Sequence, residues 1–536
     1  MGIHQAVVTA AVGYFNPIFT MRTEKVYAQT IDEAAEKIIK LLNRETNASR
    51  SSSSRNNVFY FDGWDGLGAS AVLRDIAHRL TPTSPDGKTA LAKLEFDQLI
   101  HIDCSMWESR RALHKVVAGQ LELPDHVMEL FDRQDEEDDF KGVRQGSRDW
   151  VEEVIKVMYQ HIQKLNRRFL LIFHNGSNEE IDLARCCGFP LSGYSTNMIL
   201  WTFQGRFRLK PRSKVDKAVM STGTTDVLIS AVPQYNEPQV LWSYLVQQEA
   251  SEVAVVYKIN ASTRSTTIDH TAQVADCFLY MLEMCFSGRH SNDYDVATHA
   301  ASYWACDGIV QLQNQHGKRP DGNDDDDDSL WRAAYALQRE IQLDVDYHQY
   351  LPSHLSRCAE RKPYWTSPTY GVILIPTGAI PNGDMFQHFD KLNVLKLSRC
   401  TFDFQSPPFI CCHSLRFLWL DHCQGTGTSM DGAEKEEDVR RCFQRLWLLH
   451  VCYTECSQIL SAQMLDLMTQ LRELTVIRAN DWDICQLQGR LPNIQKLRVK
   501  NSRLLCSSEK DLFSEMNKMV FLDFSGSSVE SPMGIH

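Results

Sequence analysis

Apolar residues follow three different rhythms along this 536-residue chain. Near the N-terminus, Ile31, Ala35, Ile38 and Leu42 recur at helical spacing behind a Thr30/Glu33 capping box. One amphipathic helix of about four turns is predicted there. It runs into NASRSSSSRNN (47–57), a serine-rich stretch that predicts a boundary between a short N-terminal segment, 1–55, and the next domain. The second rhythm is a series of short, wholly apolar runs: VFYF (58–61), LIHIDC (99–104), FLLIF (169–173) and NMILWTF (197–203). Helical or loop segments separate them, which is the pattern of a buried parallel sheet in an α/β domain, placed at 56–215. Beyond it QVLWSYLVQQEASEVA, TAQVADCFLYMLEMCF and DSLWRAAYALQREIQL are amphipathic, so 216–350 is predicted to be mainly helical.

The third rhythm, over 360–536, is an internal repeat. Leu392, Leu395, Leu397 and Cys400 follow L-x-x-L-x-L-x-x-C. The frame returns at Leu415, Leu418, Leu420, Cys423; at Leu446, Leu449, Val451, Thr454; and at Leu471, Leu474, Val476, Ala479. Ile494, Leu497, Val499, Ser502 and Met519, Leu522, Phe524, Ser527 complete it. The intervals are roughly 23–31 residues, close to the ~20–29 of leucine-rich repeats. Each unit supplies one short strand that cannot bury its apolar face alone, so the units are expected to stack into a solenoid. Its strand side should offer a broad surface to a protein partner. Cys400 and Cys423 fill the turn position where such repeats carry Asn or Cys. Zinc is not expected in CCHSLRFLWLDHC (411–423), because Cys411, Cys412, His413, His422 and Cys423 do not form separated ligand pairs. The repeats stop at SPMGIH with no evident polar cap, so the array is expected to be truncated.

Charge narrows the function classes. A formal net charge of -12 argues against a general binder of nucleic acid or anionic membranes, which needs a basic face. The acidic stretches ELFDRQDEEDDF (129–140) and DGNDDDDDS (321–329) read as solvated charge runs, the first in a loop, the second just ahead of a helix whose dipole it suits. The second lacks the glycine and distal glutamate of an EF-hand, and no metal is expected. The 16 cysteines include no C-x-x-C pair and read as reduced thiols of a cytoplasmic protein. The apolar run at 6–15 has no Lys or Arg ahead of it, is broken by Asn16-Pro17, and falls short of the ~20 residues that span a bilayer. Ala6 stands where N-myristoylation wants Ser or Thr.

The candidate chemistry lies in DGWDGLGASAVL (62–73), a glycine-rich turn between a strand and a helix. In a P-loop, such a turn wraps backbone N–H groups around phosphate, a lysine neutralises the β- and γ-phosphates, and a Ser or Thr hydroxyl holds magnesium. Gly63, Gly66, Gly68 and Ser70 are in place, but Ala69 stands where the lysine belongs. A P-loop ATPase also ends another strand with an acidic residue near the metal. Here RRFLLIF (167–173) is followed by His174 and Asn175. With both positions lost, hydrolysis is not expected. The chain has no G-x-S-x-G, H-E-x-x-H or C-x-x-C motif to supply another chemistry.

Taken in order, these parts resemble a plant intracellular immune receptor of the nucleotide-binding, leucine-rich-repeat (NLR) class. GWDGLGASAVLRDIA is similar to the NB-ARC phosphate loop, and RRFLLIFHNGS to the strand that normally ends in two aspartates. MILWTF is similar to the next strand, with Thr202 matching the first threonine of its Thr-Thr-Arg ending; Arg206 is two positions late for the arginine. VLWSYLVQQEA resembles the following helix, with Trp242 in place. CFLYMLEMCFSGRHSNDYDVATHAASYWACDGIV (277–310) resembles the winged-helix segment ending in W-x-A-x-G-F-I, and the wording fits a divergent grass subgroup. The family's G-L-P-L and M-H-D motifs are absent.

The resemblance implies a P-loop-like sheet domain, a winged-helix region and a repeat solenoid. In the intact family, bound ADP holds the receptor off and exchange for ATP drives assembly. This chain is therefore expected to be a pseudo-ATPase, with Gly63, Gly66, Gly68, Ala69, Ser70, His174, Asn175 and Thr202 as a vestigial nucleotide site. ADP or ATP would be held weakly and without metal. The expected partners are a protein or pathogen effector at the repeats and a full-length NLR, as regulator, decoy or helper. The alternatives are a nucleotide switch that retains ADP or ATP through the backbone and Ser70, and a non-functional pseudogene product.

Overall fold

The four apolar runs of the second rhythm all become strands of one parallel sheet in a computed structural model of the chain. The structure describes residues 22–48, 57–81, 87–105, 107, 109–175, 181–191, 196–202, 205, 207–209, 212–222, 224–231, 238–261, 270–287, 296–310, 324–343, 372–379, 386–426, 436–507, 513 and 516–530. The run at 6–15, most of the serine-rich stretch, Arg206 and the SPMGIH end lie outside them. Two compact units divide at Glu249 and Ala250. Among the described residues no helix is long and apolar enough to cross a membrane.

The first unit contains β1 (Thr23–Tyr27), α1 (Ile31–Ala48), β2 (Val58–Phe61), α2 (Ala69–Leu80), α3 (Gly87–Lys93), β3 (Gln98–Asp103), α4 (Arg110–Gln120) and α5 (Asp125–Phe140). It continues with α6 (Glu152–Lys164), β4 (Phe169–His174), α7 (Leu183–Cys187), β5 (Met198–Thr202), the two-residue β6 (Arg208–Leu209), α8 (Arg212–Thr222) and β7 (Thr225–Ser230); α9 (Pro238–Ala261) leads out of it. The sheet order is β1-β7-β2-β5-β4-β3, and every pairing is parallel. Strands β2, β4 and β5 are buried along their whole length. Burial on both faces explains why they read as unbroken apolar runs instead of alternating ones.

Two expectations change here. The N-terminal segment belongs to this unit: β1 pairs with β7 from Thr23↔Asp226 to Tyr27↔Ser230, and α1 buries Ala34, Ala35, Ile38 and Leu42. Thr30 caps the helix, with Glu33 N–H donating to Thr30 Oγ1 at 3.1 Å, and the Glu33 carboxylate accepts from Gln29 N–H at 2.9 Å. The acidic run at 129–140 is not a loop; it is most of helix α5. Val127 and Phe131 are buried, and Asp135 and Asp138 hold the buried Arg111 at 2.6 and 2.9 Å. The carboxylates compensate a buried guanidinium, which a solvated run would not do.

The second unit contains α10 (His270–Ser287), α11 (Val296–Asp307) and α12 (Asp324–Glu340), then the short β8 (Gln342–Leu343); part of the range expected to be helical, at Thr225–Ser230, is instead strand β7 of the first unit. A parallel sheet comes next: β9 (Val372–Ala379), β10 (Val394–Phe402), β11 (Phe417–Asp421), β12 (Gln424–Gly425), β13 (Leu448–Cys452), β14 (Glu473–Ile477), β16 (Lys496–Lys500) and β18 (Phe521–Asp523). A smaller parallel sheet joins β15 (Asn480–Asp483), β17 (Arg503–Leu505) and β19 (Ser528–Glu530). The repeat frames set the register. Leu395, Leu418, Leu449, Leu474, Leu497 and Leu522 stand opposite one another from β10 to β18. The frame residues of the first five units are all buried, whereas Leu522 is 47% exposed.

The turn position after each strand has its own bonding rule. Thr454 Oγ1 accepts from Cys423 N–H at 3.0 Å and donates to Cys452 O at 3.0 Å. Ser502 Oγ repeats this with Ala479 N–H and Lys500 O at 3.0 and 2.9 Å, and Cys423 Sγ lies 3.5 Å from Leu397 O. Thr and Ser are short enough to take a buried amide N–H of the neighbouring turn, whereas the Cys423 thiol donates to a carbonyl.

The opposite face of these strands is not open, contrary to expectation. Tyr303 of α11 lies 4.6 Å from Phe417, and His299 lies 5.8 Å from His450. From α12, Trp331 lies 6.3 Å from Trp447, and the Tyr335 ring sits 3.8 Å beneath Lys496 Nζ. Trp419, His450 and Thr475 are buried as a result.

Candidate functional site

The glycine turn joins the end of β2 to α2 and takes three left-handed glycines to do so, with φ of 71° at Gly63, 96° at Gly66 and 75° at Gly68. A Cβ at Gly63 would stand 2.0 Å from the Leu67 carbonyl oxygen, so no other residue fits there. The turn is therefore tight and depends on glycine at Gly63.

Four of its amides donate inside the protein. Trp64 and Leu67 exchange N–H···O bonds of 2.8 and 3.0 Å, and Gly66 N–H donates to Asp62 O at 3.1 Å. Gly68 N–H donates to Glu249 Oε1 at 2.9 Å, and the other oxygen of that carboxylate accepts from Phe207 N–H at 3.1 Å. Glu249 is 3% exposed. A carboxylate thus sits at the N-terminus of α2, where unpaired amides and the helix dipole favour an anion. The Trp64 indole closes the turn by donating to Ala28 O at 3.0 Å. Ala69 and Ser70 are buried. A phosphate would have to displace Glu249 from a position that satisfies both electrostatics and hydrogen bonding.

The second group of expected residues lies at the C-terminal ends of β4 and β5. His174, Asn175 and Thr202 are all fully buried, and His174 stands opposite Thr202. The structure brings these together, with β5 lying between β4 and the glycine turn on β2. His174 also stands opposite Asp103 of β3, with Nε2 3.0 Å from Asp103 Oδ2. Burial pushes the Asp103 carboxyl up, but His174, Arg74 and the Ser105 hydroxyl outweigh it and hold it below the usual carboxylate range. Arg74 Nε donates to Oδ2 at 3.2 Å and Ser105 N–H to Oδ1 at 2.9 Å. His101 stacks on His174 at 5.4 Å. Burial, with His174 beside it, lowers the His101 imidazole to about 4. The donor atoms of His101, Asp103 and His174 all lie within 4.8 Å of one another.

Sequence reasoning missed Glu249, Trp64, His101 and Asp103. Glu249 is 181 residues from Gly68 and carries no local signal. His101 and Asp103 sit inside a run that reads simply as a strand.

No protein-family model matches the chain, and no curated protein matches it. Among solved structures it is similar to the leucine-rich-repeat ectodomain of the receptor kinase SOBIR1 from Arabidopsis thaliana. That match has 18% identity and a TM-score of 0.17, covering 32% of this chain and 82% of that one. A likeness so slight carries no argument about function.

Proposed function

We propose that this chain is an NLR-like defence protein that works by protein–protein recognition through leucine-rich repeats, with a degenerate NB-ARC domain that does not hydrolyse nucleotide. The observation that carries the recognition reading is the leucine ladder from Leu395 to Leu522, whose units hold one register across β10–β18. Stacked units of this kind present the same surface position again and again, which suits an extended protein partner. The Glu249 carboxylate on Gly68 N–H supports the non-catalytic half of the reading.

A partner for the strand face competes with α11 and α12 of the same chain. The repeats leave a second row accessible, one position before each turn residue: Arg399, His422, Tyr453 and Arg478. The His422 and Tyr453 rings stack at 4.4 Å, and Arg478 lies 5.0 Å over Tyr453. This basic and aromatic row suits an acidic protein surface, whether of a pathogen effector or of a full-length NLR.

The test uses the full chain as bait in infected plant tissue, beside variants His422→Ala and Arg478→Ala. The expected result is one partner retained by the native chain and lost with either variant. Equal capture by all three places recognition elsewhere. In parallel, ATP and ADP are titrated with and without magnesium. The expected result is no binding in the micromolar range. Magnesium-dependent binding lost in Ser70→Ala would establish the alternative, a nucleotide switch.

A further inference from the structure

We propose that His101, Asp103 and His174 bind one zinc ion at the C-terminal edge of the sheet in the first unit. His101 and Asp103 are two apart on β3, so both side chains fall on one face of the strand, while Ile102 between them joins the core on the other. His174 stands in register with Asp103 on the adjacent β4. Two neighbouring parallel strands thus deliver two imidazoles and a carboxylate to one point.

His174 Nδ1 makes no hydrogen bond among the described residues, although the residue is 0% exposed, and His101 Nε2 is also without one. His174 Nε2 meets the Asp103 carboxylate at 3.0 Å. Buried polar atoms without partners are costly and need a reason. A metal ion supplies the missing partner.

Two imidazoles and one carboxylate form a zinc-type donor set with a fourth position open to water, whereas magnesium and calcium call for oxygen ligands. The donor atoms already lie within 4.8 Å of one another. Ser105 steadies Asp103 from outside through its backbone N–H, at 2.9 Å, and its hydroxyl. Arg74 is the competing cation on Asp103 Oδ2. Zinc entry releases its side chain, which is already partly exposed, toward solvent.

The proposal does not depend on the recognition reading, because neither partner nor nucleotide enters its test. The full chain, reduced and freed of metal with a chelator, is titrated with Co²⁺ as a spectroscopic probe and then with Zn²⁺. The expected result is one equivalent of Co²⁺ giving visible d–d bands without the near-ultraviolet thiolate band that cysteine ligands produce. Zn²⁺ then displaces it and raises the melting temperature. His174→Ala is prone to misfold, so the deciding variant is the half-buried His101→Gln. It should bind more weakly by more than the roughly 10–100-fold that loss of an outer-shell partner costs. Arg74→Gln should bind more tightly than the native chain. No Co²⁺ binding, a thiolate band at the first equivalent, or unchanged affinity in His101→Gln would each overturn the proposal.

Discussion

Glu249 sits on Gly68: its carboxylate accepts the Gly68 amide at 2.9 Å, at the first turn of α2 where a phosphate loop would present that amide to its ligand. A side chain from α9 thus supplies the anion at this helix N-terminus. Glu249→Ala removes the acceptor of two buried N–H groups, those of Gly68 and Phe207. It should cost roughly 2–5 kcal/mol in urea denaturation. Inorganic phosphate should then raise the melting temperature of the variant and leave the native chain unchanged. An equal rise in both would mean that Glu249 does not fill the anion position.

The parts of the fold that were legible in the sequence are those where burial forced a pattern. The runs at Val58–Phe61 and Phe169–Phe173 had to be apolar throughout because helices cover both sheet faces. The leucine frames had to recur because each strand is buried by its neighbours. Glu249 was invisible because the turn it fills asks only for an anion, and any carboxylate brought there by the fold serves. Helix α5 was hidden because its buried stripe contains little more than Val127 and Phe131 amid charges that also bind Arg111. The cover of α11 and α12 over the strand face was hidden for a different reason. Residues such as Trp419 and His450 read equally well as exposed ligand contacts or as buried ones.

Arg399, His422, Tyr453, Arg478 and Asn501 all have positive φ, between 49° and 55°, at the same position of successive repeats. The stack makes each strand turn sharply there, and a residue with a Cβ is conformationally strained by it. Arg399 is exposed, so Arg399→Gly should raise stability by about 0.5–1 kcal/mol and Arg399→Val should lower it. Urea midpoints of the two variants check this. A destabilised glycine variant would show that the side chain contributes more than the strain removes.

His114 sets a pH dependence in the first unit. It is fully buried, its Nδ1 accepts from Val151 N–H at 3.3 Å, and its ring meets Phe131 and Trp150 edge-on at 5.1 and 5.4 Å. Burial, helped by Arg111, lowers it to about 4. The folded value lies below the unfolded ~6.5, so the neutral ring's contribution is complete above pH ~6.5 and is lost as pH falls toward 4. The loss is on the order of 3 kcal/mol. His114→Gln keeps an acceptor and cannot charge, so the native chain should lose stability faster than the variant across that window. Parallel curves would show that His114 does not titrate there.

Lys396 works in the second unit with the opposite range of pH. Its ammonium lies 3.2 Å from the centre of the Trp419 ring, and the residue is 7% exposed. Burial lowers its pKa to about 7, against a smaller upward pull from Asp421. The unfolded value is ~10.4, so the unfolded chain binds the proton more tightly throughout the interval between. The sign is fixed by that order: this group penalises the folded state fully below pH 7, and the penalty fades as pH rises to ~10.4. Lys396→Met keeps the volume and removes the charge. It should exceed the native chain in stability by roughly 1–4 kcal/mol at pH 6, and the gap should close by pH ~10. Urea denaturation of both proteins at those two values decides it. A gap of constant size would mean that Lys396 stays protonated over the Trp419 ring at every pH measured.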